Sequence, residues 1–279
     1  MPYNIDAQKM RRGPQWASGE VSIAAPTPIH VTSAQAAAGV LVSPVARWNL
    51  PVRRWAYRQS DSASAGKPDV GVIDPMLRRR LSPLARLALS AAVACGPLPQ
   101  ACRVVYASQH GEIQRTTQML EALVRREPPS PTAFSLSVLN ATPGVLSIAR
   151  SDHSAINAVA ASDDTLGYAL LDAWTQHREM PDTPLLVIHA FDAPPACYGP
   201  TSHQPGDSAH ALALLIASDA TARLTCTMHL PTKGRTYAAH HSQSSSLITS
   251  LTGGGSDIWH GERHDWQWEW QEEAQHAHR

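Results

Sequence analysis

The sequence predicts an α/β protein in which a mostly parallel mixed sheet is covered by helices, and three observations support this fold class. Apolar runs typical of strands alternate along the chain with segments whose apolar residues recur at helical spacing. The run LLVIHAF at 185–191 is almost entirely apolar, as in a strand buried on both faces. Two further apolar runs, 210–218 and 222–230, flank a short polar break and predict an antiparallel strand pair near the end of the sheet.

The N-terminal part of the chain carries weak signals. Residues 1–19 are polar and irregular, which predicts a loose N-terminus in front of a main domain over 20–230. A short strand is predicted at 21–25 and a short helix at 33–38, where Ser33 is the expected N-cap. The Ser/Gly/Pro-rich segment 58–71 predicts a loop.

Two helices around a short strand are predicted next. Ser82 followed by Pro83 is typical of a helix start, and small residues at helical spacing continue to about Ala94. A strand is predicted at 104–106 and an amphipathic helix at 114–126. The residues of this second helix predicted to face inward are Met119, Leu120, Leu123 and Val124.

The middle of the chain predicts a helix, a strand and a second helix joined by a polar turn. The first helix covers 137–149 and contains a proline near its start, and 156–160 is predicted to be a buried strand. Ser162, Asp163 and Asp164 are then predicted to cap a helix with an apolar stripe. Serine and aspartate are preferred caps, and acidic residues in the first turn suit the helix dipole.

The last segment, 231–279, is predicted to be a flexible Ser/Gly-rich linker followed by a tryptophan-rich tail. In the tail, Trp266, Trp268 and Trp270 alternate with polar residues, as along one face of a strand. That face would contact either a partner protein or the edge of the chain's own sheet. The pattern leaves both interpretations open.

Composition narrows the classes of function. Lys+Arg and Asp+Glu both number 23, so no basic excess indicates nucleic-acid binding, and Arg78-Arg79-Arg80 is read as a solvated helix start. The four cysteines lack CxxC spacing, which disfavours common zinc sites and fits reduced thiols. No secretion signal precedes the domain, and the apolar segment 81–95 is too interrupted to span a membrane. We expect a cytoplasmic protein with neither cofactor nor metal.

Several sequence blocks also carry a family resemblance. The blocks DPMLRRRLSPLARLAL (74–89), ASQHGEI (107–113) and SPTAF (130–134) are followed by Val138, Asn140 and Gly144, by the segment 156–173 and by LLVIHAFD. In order and spacing they resemble short ketosynthase-like proteins related to the N-terminal half of β-ketoacyl synthases. These include the chain length factor subunits of aryl polyene and xanthomonadin-type pigment pathways. The resemblance covers about 21–228 and implies a thiolase-like half-fold.

The resemblance also identifies what this chain lacks. Active members keep a nucleophilic cysteine at a sharp strand-to-helix turn, where the helix N-terminus lowers the pKa of the thiol. Alignment on Thr165-Leu166 places Ser162 at the cysteine position, whereas a gap-free alignment places Asp163 there. Serine without a base stays protonated, and a carboxylate would repel the developing oxyanion. The turn 162–164 is therefore read as degenerate, with no catalytic residue.

The second, histidine-bearing half of an active ketosynthase has no counterpart in this sequence. The resemblance thus implies a non-catalytic subunit that pairs with an active β-ketoacyl synthase, shapes its acyl tunnel and meets acyl carrier protein only indirectly. The residues expected to face the partner or the tunnel are Thr132, Phe134, Val138, Asn140, Ile156, Ala158 and Ala160.

Single motifs also allow other interpretations. Ser162 as the nucleophile of a stand-alone hydrolase or acyltransferase lacks the G-x-S-x-G elbow. A homodimeric binding module on the same scaffold is a further alternative. His260 and His264 lie four residues apart, but zinc would need a third ligand, so they are read as surface residues. The segment 107–112 has one glycine and no lysine, which disfavours a phosphate-binding loop.

Overall fold

The computed structural model of the chain describes residues 44–60, 70–199, 208–231 and 242–272. The strands of this part are β1 (Ala46–Gln59), β2 (Arg103–Ala107), β3 (Ile156–Val159), β4 (Leu185–Phe191), β5 (His210–Ile216), β6 (Arg223–His229), β7 (Ser256–His260) and β8 (Asp265–Gln271). Its α-helices are α1 (Pro75–Arg78), α2 (Pro83–Ala94), α3 (Ile113–Val124), α4 (Pro131–Ser135), α5 (Ala141–Arg150), α6 (Thr165–Glu179) and α7 (Gln243–Gly253). The loose N-terminus and the elements predicted at 21–25 and 33–38 lie outside the described residues, as does most of the 58–71 loop.

The strands form one mixed sheet in the order β3-β2-β4-β5-β1-β6-β8-β7. Helices cover it, so the predicted α/β class is confirmed. The parallel part is smaller than predicted, because only β2 with β3 and β2 with β4 run parallel. The other five neighbouring pairs of the described sheet are antiparallel. Strands β7 and β8 are joined by a short connection, and short connections favour antiparallel neighbours.

The long strand β1 was not predicted, and it changes the topology. Its first part pairs with β6, from Ala46 opposite Met228 onward, and its second part pairs with β5, beginning at Val52 opposite Ile216. The hairpin predicted for 210–218 and 222–230 is therefore wrong, because β1 lies between these two strands. The pairing register of β1 shifts just after Pro51, and proline in a strand is typical of such irregular positions.

Two buried clusters, one on each face of the sheet, form the core. Along β4, Leu185 and Val187 join the cluster under α6 and α7, while Leu186 and Ile188 join the cluster under α2 and α5, as the alternation of a strand requires. Helix α2 begins where predicted, and its N-cap Ser82 accepts a hydrogen bond from the backbone N–H of Ala85 at 2.9 Å. Sequence periodicity was thus sufficient for the central layers.

The segment predicted to be a flexible linker and tail contains α7, β7 and β8. Several of its serines are buried with hydrogen-bond partners: Ser246 Oγ donates to Asp257 Oδ2 at 2.8 Å, and Ser250 Oγ donates to the carbonyl oxygen of Trp268 at 3.2 Å. Because these hydroxyl groups find hydrogen-bond partners inside the protein, the polar composition of this segment does not indicate disorder. The three alternating tryptophans are buried in the chain's own sheet: Trp266, Trp268 and Trp270.

Within the described ranges, no helix combines the length and apolar character that crossing a membrane requires.

Candidate functional site

The turn 162–164 lies at the carboxyl end of β3, where the parallel strands β2, β3 and β4 all end on one edge of the sheet. Ser162 is exposed and adopts a left-handed backbone conformation with φ of 54°. Thr165 closes the turn: its hydroxyl donates to the carbonyl oxygen of Ser162 at 2.6 Å and accepts from the N–H of Ala161 at 2.9 Å. The chain thus makes a sharp strand-to-helix turn at Ser162.

The two aspartates do not cap α6 as predicted. Asp164 occupies the N-cap position, but its side chain accepts no hydrogen bond from the helix backbone. Its Oδ1 instead accepts from the indole Nε1 of Trp266 at 2.6 Å, while Asp163 Oδ1 accepts from Gln109 Nε2 at 2.6 Å. The prediction was wrong because both side chains have stronger partners on distant segments than the local N–H groups.

Gln243 makes the contacts that the aspartates were expected to make. Its side-chain oxygen Oε1 accepts from the backbone N–H groups of Leu166 at 2.9 Å and Gly167 at 3.1 Å. Gln243 is the first residue of α7, and α7 begins at its own N-cap Ser242. Sequence reasoning missed this residue, because a glutamine inside a Ser-rich run carries no local signal.

Trp266 and Gly167 fit against each other beside the turn. A Cβ atom on Gly167 would lie 2.5 Å from the indole of Trp266, so only glycine allows this close approach. The ring of Trp266 also packs edge-on against Trp48 and Tyr168, with centroid distances of 6.0 and 5.5 Å. The first turn of α6 is therefore enclosed by β8 on one side.

His264 reaches the turn from the hairpin between β7 and β8. Its Nδ1 lies 3.7 Å from Asp164 Oδ1, whereas His260 Nδ1 lies 3.2 Å from the buried Asp265 Oδ2. The two histidines thus face different carboxylates and do not converge on one point. In the part of the chain that the structure describes, no group of three His, Cys, Asp or Glu side chains is placed to hold a metal ion.

The environment of Asp164 favours its protonated form. Burial raises the pKa of this carboxyl above its usual value, although the Trp266 donor and the nearby His264 favour the ionised form. A raised pKa means that the folded chain binds this proton more tightly than the unfolded chain does. The stability contributed by Asp164 is then complete below the ordinary carboxyl pKa and decreases as the pH rises toward the raised value.

Asp164→Asn is therefore expected to remove one component of the pH dependence of stability. The amide oxygen can still accept from Trp266, but it carries no charge to desolvate. In urea denaturation at a series of acidic pH values, the wild type should lose stability relative to Asp164→Asn as the pH rises through that window. Asp163→Asn is the matched control, and parallel curves for wild type and Asp164→Asn would contradict the expectation.

In the described part of the chain, neither the Ser162 hydroxyl nor the three buried thiols have surroundings that would activate them. Among the described residues, no histidine donates to or accepts from the Ser162 hydroxyl, so nothing there would take its proton. Burial raises the pKa of Cys95 and of Cys102 to about 11, and it raises the pKa of Cys226 as well. These three thiols stay protonated near neutral pH.

The residues expected to face a partner lie on exposed surfaces. Phe134 in α4 is 66% exposed and Val138 is 47% exposed. Asn140, Ala158 and Ala160 are exposed, while Thr132 and Ile156 are partly buried. The strand predicted to be buried at 156–160 is β3, which is instead an edge strand with a half-exposed pattern. It was misjudged because its small apolar residues read as a buried run.

Helix α3 adds apolar surface that was predicted to face inward. Leu120 and Leu123 are each 52% exposed and Val124 is 85% exposed, whereas Thr117 is its buried residue. The helix is amphipathic as predicted, but its apolar side is turned away from the core. Helix α3 contacts α4, and we call the exposed apolar side chains of these two helices, including Phe134, the α3–α4 surface.

Comparisons with known structures agree with this fold. The chain superposes with a TM-score of 0.66 on a chain of the ketosynthase (ApeO) in complex with its chain length factor (ApeC) from Xenorhabdus doucetiae, at 24% identity, covering 80% of this chain and 99% of that one. For the ishigamide ketosynthase/chain length factor, the TM-score is 0.52 at 14% identity, with 74% and 72% covered. No curated protein matches the chain.

The family comparison covers most of the sequence. A model described as Beta-ketoacyl synthase, N-terminal domain, matches residues 52–270. This range runs from within β1 to within β8, so it includes the C-terminal helix and strands that composition alone assigned to a linker and tail. The chain therefore belongs to the β-ketoacyl synthase N-terminal domain family.

Proposed function

We propose that this chain is a non-catalytic, chain-length-factor-type subunit that pairs with an active β-ketoacyl synthase and shapes its acyl tunnel in polyketide-like pigment assembly. The observation that carries the proposal is the turn at Ser162. It has a sharp strand-to-helix geometry, yet it presents the hydroxyl of Ser162, beside which no described residue acts as a base, where the resemblance places a thiol. A turn of this shape without a nucleophile is consistent with a scaffold retained for a partner.

The sheet edge supports the pairing. Strand β3 pairs with β2 on one side, and its outer side has no neighbouring strand in the described part of the sheet. An open edge offers backbone N–H and C=O groups to a strand of another chain. Ala158 on this strand is exposed and small, which suits close approach by a partner.

The exposed apolar side chains of the α3–α4 surface support the same pairing. Leu123, Val124 and Phe134 are all more than half exposed on two helices that contact each other, and exposed apolar side chains on neighbouring elements are a feature of interaction sites. Burying each side chain against a partner would stabilise a complex by about 1.5–3 kcal/mol. The solved relatives named above include a ketosynthase in complex with its chain length factor. We expect acyl carrier protein to reach such a pair through the active subunit.

Co-expression with a ketosynthase tests the proposal. The chain is expected to co-purify with an active β-ketoacyl synthase as a stable heterodimer, because two exposed surfaces become buried together. Size-exclusion chromatography with light scattering measures the mass of the complex, and the chain alone is the control. A chain that stays monomeric beside every ketosynthase encoded near its gene would contradict the pairing.

A further inference from the structure

The N-terminus of α6 is occupied by the C-terminal part of the same chain. We infer that Gln243 and Trp266 form an internal plug that occupies this helix N-terminus, so its N–H groups would not activate a thiol restored at position 162. This inference rests on the proposed non-catalytic role and adds to it a structural feature other than the missing thiol.

Gln243 takes the hydrogen-bond donors of the helix. The first N–H groups of any helix lack partners within it and carry partial positive charge, so they bind carbonyl oxygens and anions. Here the side-chain oxygen of Gln243 accepts from two of them, at 2.9 and 3.1 Å. Gln243 is 3% exposed. A substrate carbonyl would have to displace a buried side chain to reach these donors.

Trp266 holds the plug from the other side. Its indole lies directly on Gly167, where even a Cβ atom would approach to 2.5 Å, and its Nε1 donates to Asp164 at 2.6 Å. The side chain is fully buried. Because α7 supplies Gln243 and β8 supplies Trp266, two separate elements enclose the first turn of α6.

The consequence for thiol chemistry is specific. A cysteine at a helix N-terminus becomes reactive because the free N–H groups favour the thiolate. In this chain the oxygen of Gln243 already uses two of those N–H groups, and the carboxyl groups of Asp163 and Asp164 lie in the same turn. A thiol placed at position 162 should therefore ionise like an ordinary surface thiol.

A reporter thiol tests the plug. Cys197 is exposed and the other three cysteines are buried, so Cys197→Ser leaves a background with little reactivity. In that background, Ser162→Cys is compared with Ser162→Cys/Gln243→Ala by measuring the rate of iodoacetamide alkylation against pH. Removing Gln243 should lower the thiol pKa and raise the alkylation rate at neutral pH by about two- to fivefold, the size of a helix N-terminus effect. Superimposable pH profiles would overturn the inference.

A second variant covers the possibility that Gln243→Ala does not fold, which circular dichroism would reveal. Gln243→Glu keeps an acceptor oxygen and adds negative charge, so alkylation at position 162 should be slower than with Gln243. An equal or faster rate would also overturn the inference. All rates are measured on the isolated chain, so this test can fail while co-purification with a ketosynthase succeeds, and the reverse.

Discussion

Trp266→Ala is expected to lower the free energy of unfolding by about 3–5 kcal/mol, the usual cost of truncating a fully buried large aromatic side chain. The indole is in contact with Trp48, Tyr168 and Trp268, and its ring lies on Gly167. Its loss would leave a cavity between β8 and α6 and would leave the buried Asp164 without its donor. Urea denaturation followed by far-UV circular dichroism measures the change.

Trp266→Phe separates the two contributions. Phenylalanine retains an aromatic ring in the core but has no N–H to donate, so Asp164 loses its hydrogen bond while much of the packing remains. We expect a loss of about 1–3 kcal/mol for this variant, the cost of a buried polar group left without a partner. A value for Trp266→Ala within 1 kcal/mol of the wild type would show that β8 does not support the turn.

The elements that could be predicted from the sequence are those whose signals are local. The adjacent residues Ser82 and Pro83 mark the start of α2, and the apolar run 185–191 coincides with the whole of β4. Strand β1 gave no such signal, because Pro51 and two adjacent arginines interrupt its alternation and its register shifts there. Its position between β5 and β6 depends on pairing with residues far along the chain, which local patterns do not encode.

The candidate site divides in the same way. The position of the turn at Ser162 followed from the family resemblance and from the strand-like and helical patterns around it. The contacts that hold the turn could not be predicted from the sequence. Gln243 lies 77 residues after Leu166, and Trp266 lies 102 residues after Asp164. Capping rules describe neighbours within about four residues, so they assigned the caps to the nearest polar side chains. Tertiary partners outcompeted that local choice.

The orientation of α3 also differs from the prediction, and this difference bears on function. A helical apolar stripe indicates that one side of the helix is buried against another protein surface. It does not show whether that surface belongs to the same chain or to a partner. Leu120, Leu123 and Val124 satisfy the periodicity of a core-facing helix and yet are exposed. Under the proposed pairing, these exposed apolar side chains are the place where a partner would supply the covering surface.

Leu123→Asp/Phe134→Asp is expected to weaken binding to the partner ketosynthase by on the order of a hundredfold or more. Each change removes about 1.5–3 kcal/mol of apolar burial, and every 1.4 kcal/mol corresponds to about a tenfold change in Kd. Placing a carboxylate in a desolvated contact adds to the loss. Both side chains are more than half exposed in the single chain, so the fold should tolerate the substitutions. Titration of the purified variant with the ketosynthase measures the Kd.

Leu230→Asp provides a control. Leu230 has the same 52% exposure as Leu123, but it directly follows β6 and is not part of the α3–α4 surface. If pairing uses the α3–α4 surface, this variant should bind the ketosynthase with unchanged affinity, and the circular dichroism spectra of both variants should match that of the wild type. Equal weakening by the two variants would indicate a nonspecific effect of added charge. Undiminished binding of the double variant would remove this surface from the interface and leave the open edge of β3 as the contact to test.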